Sequence, residues 1–175
     1  WLVVDASASL DFGTANCTKR ELAVAAAAAI VHLTTEGGNR HGALIVTGDD
    51  VVRIPARSGR AHAQTLLKAI ATTRRSSPGV RGDLKGGIEA LRRPQRRRGL
   101  AVVISDFLGP IDWERSLRAI GAHHELLAVE VLDRRDLELP DIGEVTLADA
   151  ESGEIREVTV TDKLRADFGA AARAH

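Results

Sequence analysis

Trp1-Leu2-Val3-Val4-Asp5-Ala6-Ser7-Ala8-Ser9 joins an apolar run directly to a carboxylate and two hydroxyls. Four consecutive apolar residues read as a buried strand, and strands of a parallel sheet are apolar on both faces. In open α/β sheets, ligands bind just beyond the carboxyl ends of the strands. If the segment stays extended, alternate residues point the same way, so Asp5, Ser7 and Ser9 would converge. One carboxylate and two hydroxyls are hard oxygen donors, suited to Mg²⁺ or Mn²⁺ rather than zinc or copper. The same residue types also favour turns and helix caps, and D-x-S-x-S alone does not separate the two readings. A second apolar run, Leu100-Ala101-Val102-Val103-Ile104, ends in Ser105-Asp106. Two strands that each deliver an Asp at their carboxyl end predict a shared, oxygen-rich cleft.

Between and beyond these runs, strand and helix patterns alternate. Thr18-Lys19-Arg20-Glu21 is a capping box, which predicts a helix from about Lys19 to Glu36, stopped by Gly37-Gly38. Strands are expected at Ala43–Val46 and Val51–Ile54, joined by a tight turn at Gly48-Asp49-Asp50. A helix follows over Arg60–Thr73, then a loop over Ser76–Arg81 marked by Pro78-Gly79, and a short helix over Leu84–Leu91. After the strand at Leu100 come a helix from Asp112 to about Ile120 and a strand over Glu125–Val131. Two short strands, Glu144–Leu147 and Ile155–Val160, flank the turn Glu151-Ser152-Gly153-Glu154, and a last helix starts near Thr161 or Asp162. This alternation predicts an α/β fold: a Rossmann-like, doubly wound, mainly parallel sheet flanked by helices, with the C-terminal β-hairpin added at an edge. No internal repeat or low-complexity linker interrupts it, so residues 1–175 are expected to form a single domain.

Composition narrows the function classes. The chain has 175 residues, and 44% of them are apolar, enough for a substantial core. With aromatics at 3%, that core must be built from Val, Leu, Ile and Ala. A formal net charge of zero gives no global pull towards nucleic acid or an anionic membrane. Arg92, Arg93, Arg96, Arg97 and Arg98 form a basic cluster, but no aromatic residues interleave for base stacking, so nucleic acid is not the expected partner. Cys17 is the only cysteine, which excludes an intramolecular disulfide and fits a reducing compartment. The longest apolar stretch, Leu22 to Leu33, is too short to span a bilayer. The sequence lacks methionine and starts inside a strand pattern, so an upstream region is expected, and it could carry a membrane tether.

Catalytic constellations are hard to find. No G-x-S-x-G elbow supports a serine hydrolase, and Lys85-Gly86-Gly87 lacks the spacing of a P-loop. His123-His124 has no Cys or second His at zinc-like spacing and is expected as an ordinary core or surface pair. Cys17 has no evident base and is expected to be structural. An Mg²⁺-dependent phosphohydrolase is the enzymatic alternative. Ser7, however, stands where a second Asp would be needed, and no general acid is evident. A non-enzymatic binding module is the expected class.

The combination of Asp5-x-Ser7-x-Ser9 with Asp106 resembles the metal-ion-dependent adhesion site of von Willebrand factor A domains. Further stretches narrow the likeness to a bacterial branch, the domain of unknown function fifty-eight. They are Val103-Ile104-Ser105-Asp106-Phe107, Val131-Leu132-Asp133-Arg134-Arg135-Asp136, Leu139-Pro140-Asp141-Ile142-Gly143 and Asp149-Ala150-Glu151-Ser152-Gly153-Glu154. The resemblance implies a divalent cation at the sheet edge, held directly by Ser7 and Ser9 and through water by Asp5 and Asp106. A protein partner would complete the shell with an acidic side chain. It also implies partnership with a MoxR-type AAA+ ATPase, in chaperone-like maturation or assembly of other proteins in the cytoplasm or at the cytoplasmic face of the membrane. Arg81-Gly82-Asp83-Leu84 departs from the family's Gly-Thr-Asp-Leu stretch. Gly82 takes the place of a metal-binding Thr, and Arg81 brings a positive charge beside it. Asp83 is then either a substitute ligand or the N-cap of the next helix. A scaffold with a degenerate, metal-free site is therefore a third expectation.

Overall fold

The computed structural model describes residues 1–14, 16–48, 50–74, 80–92, 98–149 and 152–174. Asp49 of the expected tight turn, the Ser76–Gly79 part of the expected loop, Arg93, Arg96 and Arg97 of the basic cluster, Ala150 of the family-like stretch Asp149–Glu154 and Glu151 of the last turn lie outside them.

The two apolar runs become the middle of a five-stranded sheet. Strand β1 (Leu2–Asp5) lies between β2 (His41–Val46) and β4 (Leu100–Ser105), parallel to both. Strand β5 (Glu125–Glu130) continues the sheet parallel to β4, and β3 (Val51–Arg57) closes the other side antiparallel to β2. The order is β3-β2-β1-β4-β5. All four residues of β1 and all six of β2 are buried, as continuous apolar runs covered on both faces require.

Helices cover both faces. Helix α1 (Lys19–Thr35) starts at the predicted capping box: the Thr18 hydroxyl accepts from Glu21 N at 3.2 Å, and Glu21 accepts from Thr18 N at 2.7 Å. Its buried stripe Ala23, Ala27 and Val31 recurs at four-residue spacing. Together with Ala63, Leu66 and Ile70 of α2 (Arg60–Thr72), it packs on Leu2, Val4, Ile45, Val102 and Ile104. The opposite face is covered by α3 (Leu84–Ala90) and α4 (Glu114–Gly121), which pack on Val3, Leu44, Val46, Ala101 and Val103. Each fully buried Leu or Ile in these layers contributes about 1.5–3 kcal/mol relative to exposure.

Three features differ from expectation. A four-residue helix, α5 (Arg134–Leu137), follows β5; it is held by a capping box between Asp133 and Asp136. Residues 111–113 form a separate 3₁₀ turn ahead of α4. The C-terminal hairpin of β6 (Glu144–Ala148) and β7 (Ile155–Thr159) was expected at an edge of the main sheet. Instead it forms a two-stranded sheet of its own, and β5 remains the edge strand. Both hairpin strands are mostly exposed, with little apolar surface to anchor them beside β5. Helix α6 (Asp162–Ala174) ends the fold against α5.

Candidate functional site

The chain leaves β1 towards β2 on one side of the sheet and later returns to β4 on the other. Between β1 and β4 the connections therefore diverge, and such a switch point opens a crevice at the carboxyl ends of the strands. Asp5 ends β1 and Asp106 follows β4, so both expected carboxylates stand at this crevice.

Asp5 is buried. Its Oδ1 accepts from Ser7 N at 2.8 Å, and its Oδ2 accepts from the Ser105 hydroxyl at 2.7 Å. Burial pushes its carboxyl above the ordinary range, the two hydrogen bonds oppose that, and the Asp106 charge adds to it. Ser7 and Ser9 come together, but not by the extended alternation expected. The chain turns into a 3₁₀ segment at Ala8–Asp11, anchored by fully buried Leu10, and this brings the two Oγ atoms to 3.2 Å. Arg20 pins the turn from α1, pairing with Asp11 at 2.5 Å and donating to Ala6 O at 3.1 Å.

Asp106 is engaged from behind. Its Oδ2 accepts from Lys19 Nζ at 2.8 Å, and its Oδ1 accepts from Leu108 N at 3.3 Å. The same ammonium lies 3.0 Å from Asp136 Oδ2 in α5. Next to this pair, Asp133 caps α5 and accepts from Thr14 N at 2.8 Å, Thr14 Oγ1 at 2.5 Å and Arg135 N at 2.8 Å. Burial raises the Asp133 carboxyl, but the Thr14 and Arg135 hydrogen bonds and the Lys19 charge outweigh it, holding it below its ordinary range.

Phe107 forms the lip of the crevice with φ at 54°, a left-handed conformation uncommon for a bulky residue. Its N–H donates to Ser105 Oγ at 3.1 Å, and its ring packs on Trp113 with centroids 5.0 Å apart. The Trp113 indole N–H is buried without an acceptor among the described residues. Strain and unmet hydrogen bonding of this kind concentrate at functional sites. The crevice has a volume of about 280 Å³, and Asp83, Asp112 and Arg81 stand on its rim beside Gly82. Asp83 caps α3, accepting from Gly86 N at 2.7 Å, while its side chain also lines the crevice. Of the histidine pair, His123 is exposed and His124 half-buried.

The donor set meets the geometry of a divalent ion only in part. Neighbouring ligands of an octahedral Mg²⁺ lie about 3 Å apart, which the Ser7 and Ser9 hydroxyls satisfy. Asp106 does not fit, because its carboxylate is committed to an ammonium. Position 82 does not fit either. A Cβ on Gly82 would lie 2.7 Å from Ser7 Cβ, so the Ser7 side chain stands in the space a Thr would need. These residues as arranged do not make the full adhesion-type site. Lys19, Ser105 and Asp136 are the members that sequence reasoning missed.

The family described as "Protein of unknown function DUF58" matches residues 1–175. Two curated relatives, uncharacterized protein Mb1516 of Mycobacterium bovis and uncharacterized protein Rv1480 of Mycobacterium tuberculosis, are each 65% identical over 175 residues, 100% of this chain. The chain spans about half the length of these relatives, 55% of each. An aerotolerance-related membrane protein from Bacteroides fragilis shares the fold with a TM-score of 0.58 at 12% identity, covering 98% of this chain and 86% of that one. The conserved hypothetical protein BatB from Bacteroides thetaiotaomicron does so with a TM-score of 0.57 at 13% identity, covering 98% and 85%. Likeness at such identities shows the fold alone. The chain belongs to the DUF58 family.

Proposed function

We propose that this member of the DUF58 family is a non-enzymatic protein-docking module whose contact site is the crevice between β1 and β4. The observation that carries the reading is the crevice lip. A strained Phe107 and a Trp113 with an unmet indole N–H border an opening that the fold places at its switch point. The arrangement offers a partner side chain an aromatic wall and a rim of Asp83, Asp112 and Arg81. The hydrogen bonds to both Asp5 oxygens and the ion pair of Asp106 support docking over the phosphohydrolase alternative, which needs a poised acid and base.

The architecture supports reading the fold as Rossmann-like and of von Willebrand factor A type. On that resemblance the partner is a MoxR-type AAA+ ATPase, and the role is chaperone-like maturation or assembly of other proteins. The module would work in the cytoplasm or tethered at the cytoplasmic face of the membrane. Among the described residues no helix is long and apolar enough to cross a membrane. One structural relative is called a membrane protein, which favours the tethered form. The Ser7–Ser9 hydroxyl pair favours a second reading, in which Mg²⁺ or Mn²⁺ enters and an acidic side chain of the partner completes its shell.

Calorimetry between the chain and the MoxR-type ATPase of the same organism tests the docking. Asp112→Arg, on the exposed rim, is expected to change affinity by about tenfold or more. Glu157→Arg on the hairpin is expected to change nothing. Equal affinity for wild type and Asp112→Arg would place docking elsewhere, and loss of affinity on chelation would favour the second reading.

A further inference from the structure

Lys19 is the only fully buried lysine among the described residues. Its position is costly twice over. A cation in the first turn of a helix opposes the helix dipole, and an ammonium away from water needs partners. Lys19 has both problems, as the first residue of α1 at 2% exposure. Two carboxylates offset the cost, Asp106 at 2.8 Å and Asp136 at 3.0 Å, and the Phe12 ring lies 5.9 Å from Nζ. The pairing takes the carboxylate that an adhesion-type site needs, and it puts a positive charge behind the crevice. Like charges a few ångströms apart repel strongly where water is excluded, so a divalent ion bridging Ser7, Ser9 and Asp106 would have to displace the ammonium or face it.

We propose that Lys19 is the resident counter-cation of this crevice: its ammonium does the electrostatic work of a divalent ion and keeps such ions out. Asp106 then keeps a counter-charge whatever the ambient Mg²⁺. Removing the charge while keeping the bulk, as in Lys19→Met, frees Asp106 and leaves it beside Asp136. That pair becomes an oxygen site open to a hard cation. The inference concerns the same crevice as the docking reading but does not rest on it, and the metal alone tests it.

The experiment is Mn²⁺ titration of the chain followed by electron paramagnetic resonance of the free ion. Wild type is expected to show no saturable binding at millimolar Mn²⁺. Lys19→Met is expected to bind at least about tenfold more tightly than wild type, and Lys19→Met/Asp106→Asn is expected to lose that gain. Saturable binding by wild type that Ser9→Ala removes would overturn the proposal, as would a folded Lys19→Met that gains nothing. Should Lys19→Met fail to fold, the wild-type ammonium decides. Its ¹⁵N resonance is expected to stay unchanged on Mg²⁺ addition, and a saturable shift would overturn the assignment.

Discussion

Asp133 ties together the Thr14 loop, the start of α5 and, through its neighbour Asp136, the buried Lys19. It combines a helix cap with two long-range hydrogen bonds, so Asp133→Ala is expected to cost about 2 kcal/mol in urea denaturation at neutral pH. The charge makes that cost pH-dependent. The folded-state carboxyl is held below its ordinary range. The folded form therefore binds this proton less readily than the unfolded chain, and stability rises with pH across the gap. The contribution is complete above the ordinary carboxylate value of about 4 and disappears as pH falls through the lower folded value. The stability difference between wild type and Asp133→Asn should accordingly shrink on acidification. A difference independent of pH would assign the effect to shape rather than charge. At this scale the sequence is uneven. Asp5 and Asp106 are legible because a carboxylate ending an apolar run is out of place unless the strand stops at a site. Lys19 is not, because the capping box around it reads as a solvated helix start. Its partners lie 87 and more residues away and belong to elements that meet only in the fold. The one local hint is a cation in the first turn, where the helix dipole disfavours it.

Among the elements, α3 is the most tightly constrained. A Cβ on Gly87 would fall 2.2 Å from Val46 Cγ2, so the helix lies on β2 at a distance only glycine allows. Gly82, just before the helix, abuts Ser7 in the same way. Adding a hydroxyl by Gly82→Thr is therefore expected to destabilise the domain by about 1–3 kcal/mol through overpacking, and not to create an ion site. A thermal melt beside a Mn²⁺ titration reads both effects. A stable Gly82→Thr with new Mn²⁺ affinity would mean that Ser7 yields easily. The long elements were readable from periodicity and caps, because α1 and the central strands carry patterns their burial enforces. Helix α5 escaped notice because four residues hold too little periodicity to register, although Asp133-Arg134-Arg135-Asp136 spells its capping box.

Over the whole molecule, stability is unevenly distributed. β1 and β4 sit between two helical layers, whereas among the described residues β6 and β7 pair only with each other, and they are mostly exposed. Native-state hydrogen exchange should find the hairpin amides opening at least about tenfold more often than those of β1 and β4. Equal protection would mean that the hairpin belongs to the main cooperative unit. The placement of the hairpin was beyond the sequence, since alternation and a turn reveal a strand pair but not what it packs on.

The bond from Ser105 to Asp5 joins residues 100 positions apart, and that from Lys19 to Asp106 spans 87. Contacts so distant along a chain close late in folding, after the entropy of the intervening loop has been surrendered. During synthesis, β1 emerges well before β4 exists, and in that interval there is no crevice for anything to hold. On the docking proposal, a partner that grips the crevice would meet only chains whose sheet is already closed, and its binding would double as an inspection of whether the domain has been completed.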